Sequence, residues 1–170
     1  MLGSSLAFAL MQICVKYLPH IPAYELILFR SIVSIILSVA ILQKLGIPLL
    51  GNNKKVLMMR GIFGTTALLL FFYTLQNIPL ASAVTLQYLS PIFTAIFAAI
   101  FLKEKMKMKQ WLYFGISFVG VALIKGFDER ISLTFMLIGI CSAMFSGIAY
   151  TCIRQLKDTE HPVVVVLYFP

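Results

Sequence analysis

Long apolar runs separated by short polar loops are the dominant pattern of this 170-residue sequence. The two runs within Ala81–Lys125 show no polar–apolar alternation with a period of two, and each is much longer than a typical strand. A bilayer core about 30 Å thick takes about 20 apolar residues to cross as a helix. Within lipid, a helix satisfies its own backbone N–H and C=O groups. The pattern therefore predicts an all-α, polytopic helical membrane protein.

The runs and the turns between them predict helices in two units. The first unit, residues 1–125, has expected helices at 2–18, 24–42, 61–75, 82–102 and 110–125. The second unit, residues 131–170, has an expected helix at 131–153 and a truncated helix at 163–170. Prolines mark several of the breaks, because proline lacks the N–H that a helix interior needs. Pro91 instead falls inside the fourth expected helix, where it predicts a kink.

Composition supports the membrane prediction and argues against several other classes of protein. Hydrophobic residues make up 61% of the chain and charged residues 12%, with a mean hydropathy of +0.97. Soluble domains have about 25% charged residues, so this chain could not cover a water-facing surface. The net charge of +8 resides mainly in short loops, which favours topology signals over nucleic-acid binding. Three dispersed cysteines and two loop histidines predict no disulfide framework, metal site, cofactor or catalytic group.

The loop charges predict an orientation in the membrane. The loops after the second, fourth and sixth runs hold most of the basic residues, namely Lys44, Lys54, Lys55, Arg60, Lys103, Lys105, Lys107, Lys109, Arg154 and Lys157. The opposite side holds Lys16, Arg30, Lys125 and Arg130. Cytoplasmic loops carry an excess of Lys and Arg. We therefore expect a multi-pass protein of the inner (plasma) membrane with its N-terminus in the cytoplasm.

Arg30 is the most informative candidate for a substrate contact. It lies about 9 Å into the second helix, at a depth where a charge costs at least about 2.5 kcal/mol. It is expected either to contact an anion or carboxylate in a water-filled path or to extend to the outer headgroups. Further candidate substrate contacts are polar side chains within apolar runs, namely Gln12, Gln87, Tyr88, Ser146 and Tyr150. Each of these also fits a hydrogen bond to a neighbouring helix.

Two further sets of residues predict contacts between elements. Lys16 and Glu25 flank the turn between the first two helices, and we expect an ion pair that acts either as an outer gate or as a structural contact. Gly139, Ala143 and Gly147 recur every four residues in the sixth run. That spacing of small residues is typical of closely packed membrane helices.

Two stretches of the chain weakly echo each other. Cys14, Lys16 and Leu18 correspond to Cys152, Arg154 and Leu156, each set lying near the end of an apolar run that precedes a turn with proline. Because five helices per unit is an odd number, the second unit would be inverted in the membrane relative to the first. Inverted repeats that enclose a site near the membrane midplane are typical of secondary transporters.

Three stretches resemble the EamA-type members of the drug/metabolite transporter superfamily. They are ELILFR at Glu25–Arg30, Arg60-Gly61, and above all ASAVTLQYLSPIFTAIFAAIFLKEK at Ala81–Lys105. The resemblance implies ten helices in two halves of five. On that basis this chain has one five-helix EamA repeat plus the start of a second, inverted repeat.

The resemblance also implies a function. We expect a transporter, not an enzyme, that moves small metabolites such as amino acid, nucleotide-like or drug-like solutes by alternating access. Its expected partners are a small-molecule substrate and the lipid bilayer, with no nucleic acid. The alternative is a truncated or half-size membrane protein. Such a protein would be active only as a homodimer, only with a missing C-terminal half, or not at all.

Overall fold

Helix is the only regular secondary structure among the described residues. The computed structural model describes residues 2–101, 111–112, 114–117, 119–120, 123, 132–157 and 159–169. The basic loop at 103–109 lies outside these ranges, as do residues 110, 113, 118, 121, 122, 124 and 125 of the fifth expected helix, 110–125. The helices are α1 (Leu2–Tyr17), α2 (Ala23–Leu45), α3 (Lys54–Asn77), α4 (Leu80–Gln87), α5 (Ser90–Phe101), α6 (Leu133–Leu156) and α7 (Pro162–Leu167).

The helices are long and apolar enough to make this a multi-pass membrane protein. Four described segments could cross a bilayer by length and composition, namely Ala23–Leu45, Lys54–Asn77, Leu80–Phe101 and Leu133–Leu156. At a rise of 1.5 Å per residue, each would extend about 33–36 Å. Ser5–Tyr17 is a shorter apolar helix. The predicted fold class, an all-α polytopic membrane protein, is therefore confirmed.

The third helix begins earlier than the sequence predicted. It starts at Lys54 instead of at residue 61, because the apolar residues Val56–Met59 continue the helix toward its basic end. Just before this end, the backbone N–H groups of Asn52 and Asn53 donate to Oε1 of Glu160. A carboxylate is favourable there, since the N-terminus of a helix carries partial positive charge. The consequence is that Arg60 lies inside α3, not in a loop.

The fourth predicted helix is interrupted, and Pro91 explains the position of the break. Proline cannot donate to the carbonyl four residues earlier, which here belongs to Gln87, and its ring crowds that carbonyl. Helix α4 accordingly ends at Gln87, and Tyr88 and Leu89 form a turn before α5 begins at Ser90. The break lies near the middle of the Leu80–Phe101 segment. Pro91 therefore follows a break between two helices, and a functional role for a kink at this position stays a prediction.

Helix α6 is the element around which the others pack. It contacts α3, α4 and α5, and α1 and α2 complete the bundle through α3. Its ladder of small residues is buried, as the spacing predicted. A Cβ at Gly147 would lie only 2.6–2.9 Å from atoms of Phe93 and from the backbone N of Thr94. Glycine at this position therefore allows α5 to approach α6 closely.

A second, smaller core forms at the end of the bundle where α7 packs. Leu42, Leu57, Leu156, Val164 and Val165 are its buried members. Beyond α7, the chain runs along α3, where Thr65 Oγ1 donates to the carbonyl of Phe169 at 3.0 Å. Gly61 has no side chain to obstruct the carbonyl of Tyr168, which lies against it. These contacts place the ring of Phe169 against the interior face of α3.

Candidate functional site

A cavity of about 640 Å³ lies among α1 to α6 and is bordered by Phe169. Much of its wall is apolar, with contributions from Phe8, Leu68 and Phe71. A few polar side chains project into it, namely Ser5, Gln12, Arg30, Arg60, Gln87, Tyr88, Ser90, Ser146 and Tyr150. A concave, mainly apolar site with a few polar groups is typical of small-molecule binding sites. Its described lining includes no aspartate or glutamate.

The structure brings the six predicted substrate contacts to this one cavity. Gln12, Arg30, Gln87, Tyr88, Ser146 and Tyr150 all line it, together with Pro91 at the helix break. The six contacts come from four different helices and the turn between α4 and α5, so no local sequence pattern joins them. Their role as substrate contacts stays a prediction, whereas their convergence is a property of the fold.

Gln87, Ser142 and Ser146 form what we call the amide network. Nε2 of Gln87 donates to Oγ of Ser146 at 2.9 Å. Oγ of Ser142 lies 2.8 Å from the carbonyl oxygen of Ala67 and 3.3 Å from Oε1 of Gln87. This network links α3, α4 and α6 across the back of the cavity. Its neutral polar groups are hydrogen-bonded to one another, as buried polar groups require.

Arg60 and Arg30 both contact one aromatic ring, and we call these two residues the arginine pair. The central carbon of the Arg60 guanidinium lies 4.3 Å from the ring centroid of Phe169, and that of Arg30 lies 4.7 Å from the same centroid. Both distances are within the range of a cation–π interaction. By helix rise, Arg60 is about 9 Å from the start of α3 and Arg30 about 10 Å from the start of α2. Since these helices start on opposite sides of the membrane, the two side chains converge at intermediate depth.

Arg60 is nearly inaccessible and incompletely bonded. Only 8% of its surface is exposed, and in the described part of the chain its Nε and Nη1 atoms have no hydrogen-bond acceptor. A Cβ at Gly64 would collide with Nη1 of Arg60, so the glycine leaves the space that the guanidinium fills. The cavity therefore contains strong donors that the described residues leave unpaired.

The described residues provide no metal site. No group of three or more His, Cys, Asp or Glu side chains within them is arranged to hold a metal ion. Cys14 and Cys141 are exposed and Cys152 is buried, all as free thiols. The chemistry that the cavity can perform with its described side chains is recognition by hydrogen bonds and positive charge.

Comparison with known proteins gives the family. Residues 1–126 match the EamA-like transporter family. The chain belongs to this family. The predicted resemblance is therefore confirmed, and the matched residues include the helix break and most of the cavity wall. No solved structure matches the chain.

Several EamA-like relatives are transporters by name. The chain is 31% identical over 168 residues to the pseudopaline exporter CntI of Pseudomonas aeruginosa. This match covers 98% of this chain and 59% of the exporter. It is 28% identical over 183 residues to solute carrier family 35 member G1 of Mus musculus, covering 98% of this chain and 49% of that protein. A Helicobacter pylori transporter is 35% identical over 120 residues, covering 70% of this chain and 40% of the relative. The chain thus spans between two fifths and three fifths of these relatives.

The predicted gate residues lie outside the cavity lining, and their contacts differ from the expected pair. Nζ of Lys16 donates to the carbonyls of Ile78 at 2.6 Å and Gln76 at 3.3 Å, at the end of α3. Glu25 is exposed at the start of α2. The amide of Gln76 in turn donates to the carbonyl of Ile21 at 2.9 Å. Lys16 therefore joins α1 to α3 and is not hydrogen-bonded to Glu25 in the described part of the chain.

Arg60 is the functional candidate that sequence reasoning missed. It was assigned to a cytoplasmic loop because the long apolar run begins at Gly61. The available signal was the apolar stretch Val56–Met59 just before it, which shows that the helix continues on both sides of the charge. An arginine with apolar residues on both sides is an intramembrane charge, and such charges are functional candidates by default.

Proposed function

We propose that this chain forms the solute cavity of a transporter of small metabolites that works by alternating access. The observation that carries the proposal is the cavity itself, in which six side chains predicted as substrate contacts converge at a break in a membrane helix. Membership of the EamA-like transporter family and transporters among the relatives support it. Amino acids, nucleotide-like compounds and drug-like solutes are the classes of substrate to test.

The mechanism that this site favours is differential binding without covalent chemistry. A solute shifts the balance between inward-open and outward-open states only if it binds the two states with different affinity. The break between α4 and α5 is the element in the cavity wall where a change of angle would cost least, because Pro91 leaves no intact hydrogen-bond ladder there. Discontinuous helices at binding sites are common in secondary transporters.

Transport in proteoliposomes tests the proposal directly. Vesicles that contain the purified chain are expected to exchange one class of labelled solute faster than empty vesicles. Tyr88→Ala should lower this rate several-fold, because Tyr88 lines the cavity. Tyr17→Ala is the matched control, since Tyr17 is similarly exposed (78% against 71%) but lies outside the lining. Equal rates for the two variants would contradict the assigned cavity.

Labelling at Tyr150, a cavity-lining residue that is 48% exposed, tests alternating access separately. In a variant that lacks native cysteines, Tyr150→Cys should react with an impermeant thiol reagent from either side of the membrane, and solute should change the ratio of the two reactions. Labelling from one side only, whatever solute is present, would overturn alternating access while leaving the cavity in place.

A half-size protein is the second candidate, and the length of the relatives favours it. Because the chain spans 59% of CntI and 49% of solute carrier family 35 member G1, a complete carrier of their size would take two such chains or further sequence. If the folded chain shows no exchange as a monomer but exchanges as a cross-linked homodimer, this alternative replaces a carrier that acts alone. Light scattering in detergent measures the oligomeric state.

The membrane and orientation are further parts of the proposal. We propose the inner membrane, with the N-terminus and the loop between α2 and α3 in the cytoplasm, because Lys44, Lys54 and Lys55 lie at that loop. Reporter fusions at Gly46 and His20 test this, and a signal from the periplasmic reporter at Gly46 would reverse the orientation.

A further inference from the structure

We propose that the arginine pair binds one oxyanion group, a carboxylate or a phosphate, and that the Phe169 ring lies against both guanidinium groups when the anion is absent. The physiological role of this subsite rests on the proposed function, because the subsite lies in the transport cavity. Binding itself does not depend on transport, so the two can be tested apart.

The first step is the unpaired state of Arg60. A guanidinium group has five N–H donors and no acceptor atom of its own, so it needs acceptor atoms from other groups when it is removed from water. With 8% exposure and no acceptor for Nε or Nη1 among the described residues, those partners are lacking. A buried charged donor in this condition is costly, and each such group in a native structure requires an explanation, of which a bound anion is one.

The second step is the proximity of a second positive charge. Arg30 and Arg60 contact the same ring, at 4.7 and 4.3 Å from its centroid. Because both guanidinium carbons lie within 5 Å of one centroid, they are at most about 9 Å apart, and two like charges at that range repel each other in a medium of low dielectric constant. The negative face of an aromatic ring offsets only part of that repulsion. An oxyanion between the two guanidinium groups would offset far more.

The third step is that the described carboxylates are placed elsewhere. Glu160 accepts from the backbone N–H groups of Asn52 and Asn53 beside the start of α3. Glu25 is exposed at the start of α2. Neither belongs to the cavity lining. The negative charge for the arginine pair is therefore expected from a ligand.

The fourth step is shape. Guanidinium groups bind carboxylate and phosphate through paired, parallel N–H···O bonds. Because Gly64 has no side chain, Nη1 of Arg60 and the Phe169 ring both lie directly against its backbone. The ring follows α7 in the chain, and Thr65 bonds the backbone carbonyl of Phe169 while leaving its side chain without a hydrogen bond. A cavity of about 640 Å³ has room for a small acidic solute.

Binding of succinate to the purified, delipidated chain in neutral detergent tests the subsite. Succinate should raise the melting temperature of the unmodified chain, and the neutral analogue succinamide should not. Arg60→Met and Arg30→Met should each weaken succinate binding at least tenfold. Lys44→Met is the matched control, because Lys44 is exposed and lies outside the cavity, and it should bind succinate as the unmodified chain does.

The melting temperature without ligand separates a binding role from a structural one. If the positive charge of Arg60 is uncompensated without a bound anion, the Arg60→Met substitution removes that buried charge. The variant should then melt at a higher temperature than the unmodified chain. A lower melting temperature of Arg60→Met, together with unchanged succinate binding by Arg30→Met, would overturn the proposal. Circular dichroism checks that each variant is helical. Gly64→Val, which would displace the guanidinium without removing its charge, provides a second variant and should also weaken binding.

A lipid comparison identifies the source of the anion. If a lipid phosphate fills the subsite, the chain purified from mixed lipids should retain phosphatidylglycerol over phosphatidylcholine, and Arg60→Met should lose that preference. If a solute fills it, retention should be the same in both proteins while succinate binding differs. Equal succinate affinity and equal lipid retention in the two proteins would refute the subsite. Solute exchange that persists in Arg60→Met with no anion binding would refute the subsite but leave the transporter proposal standing.

Discussion

The amide network and the arginine pair lie in the wall of one cavity but differ in whether their polar atoms have hydrogen-bond partners. In the network, the side chain of Gln87 is bonded to Ser146 at 2.9 Å and lies 3.3 Å from the hydroxyl of Ser142. In the pair, Nε and Nη1 of Arg60 have no acceptor among the described residues. The network is complete without a ligand, whereas the pair is not.

The difference follows from the chemistry of the groups and from the packing around them. A neutral amide needs only hydroxyl and carbonyl partners, which small-residue helices such as α6 can present at close range. A guanidinium needs several oxygen acceptors and a negative charge. Polar residues inside membrane helices therefore fall into two groups, those that join helices and those that await a ligand, and hydrogen-bond satisfaction distinguishes them.

The largest loss of stability is expected from a substitution at Gly147, which lies next to Ser146 of the amide network and packs closely against α5. Gly147→Val would place side-chain carbons against the backbone of Phe93 and Thr94, which cannot move aside without shifting α5. We expect a loss of about 3 kcal/mol in stability, near the upper end for overpacked sites. Thermal unfolding in detergent, followed by circular dichroism, measures it.

A matched glycine controls for this prediction. A Cβ at Gly139 would meet mainly the side-chain atom Cδ1 of Leu86, which can rotate away. Gly139→Val should therefore change the melting temperature much less than Gly147→Val. Equal losses would mean that the close approach of α5 to α6 at Gly147 is not what holds the network.

Removal of Gln87 should have the next largest effect and the opposite sign to removal of Arg60. Gln87→Leu leaves the hydroxyls of Ser142 and Ser146 without their amide partner. Interhelical hydrogen bonds in membranes contribute about 1 kcal/mol each, so we expect a loss of about 1–2 kcal/mol. Thermal unfolding of both variants in the same detergent provides the comparison.

A double substitution and a second glutamine sharpen this result. Ser146→Ala in the Gln87→Leu background should cost little more, because the two side chains share one bond. Gln12→Leu should be close to neutral, since Gln12 lines the cavity outside the amide network. A stabilised Gln87→Leu protein would remove the distinction between the two polar regions.

The apolar pattern was sufficient to predict an all-α polytopic membrane protein, because length and hydrophobicity decide what spans a membrane. Polar residues within apolar runs pointed to Gln12, Gln87 and Ser146, which line the cavity, while their role as substrate contacts stays a prediction. Their convergence could not be read from spacing, because it depends on how six helices pack.

Two features escaped prediction for physical reasons. Arg60 was placed in a loop because its charge interrupts the hydrophobic run, although the helix continues through it from Lys54. The position of the Phe169 ring follows from tertiary contacts of α7 and α3, such as the bond from Thr65 to the Phe169 carbonyl. A sequence pattern records neither the depth of a charge nor the partner that a distant segment supplies.

The smallest effect concerns Lys16, a cation that the protein satisfies by itself. Its Nζ donates to the carbonyls of Ile78 and Gln76, where the C-terminus of α3 carries partial negative charge. Lys16→Met should therefore destabilise the chain by about 1 kcal/mol, whereas Arg60→Met should stabilise it. The effect is limited because Lys16 is only partly buried, so water can replace it at the carbonyls.

Glu25→Gln should leave the melting temperature unchanged, because Glu25 is exposed and apart from these bonds. Equal losses for Lys16→Met and Glu25→Gln would restore the ion pair that the sequence predicted, and Lys16 would then no longer serve as the satisfied counterpart of Arg60.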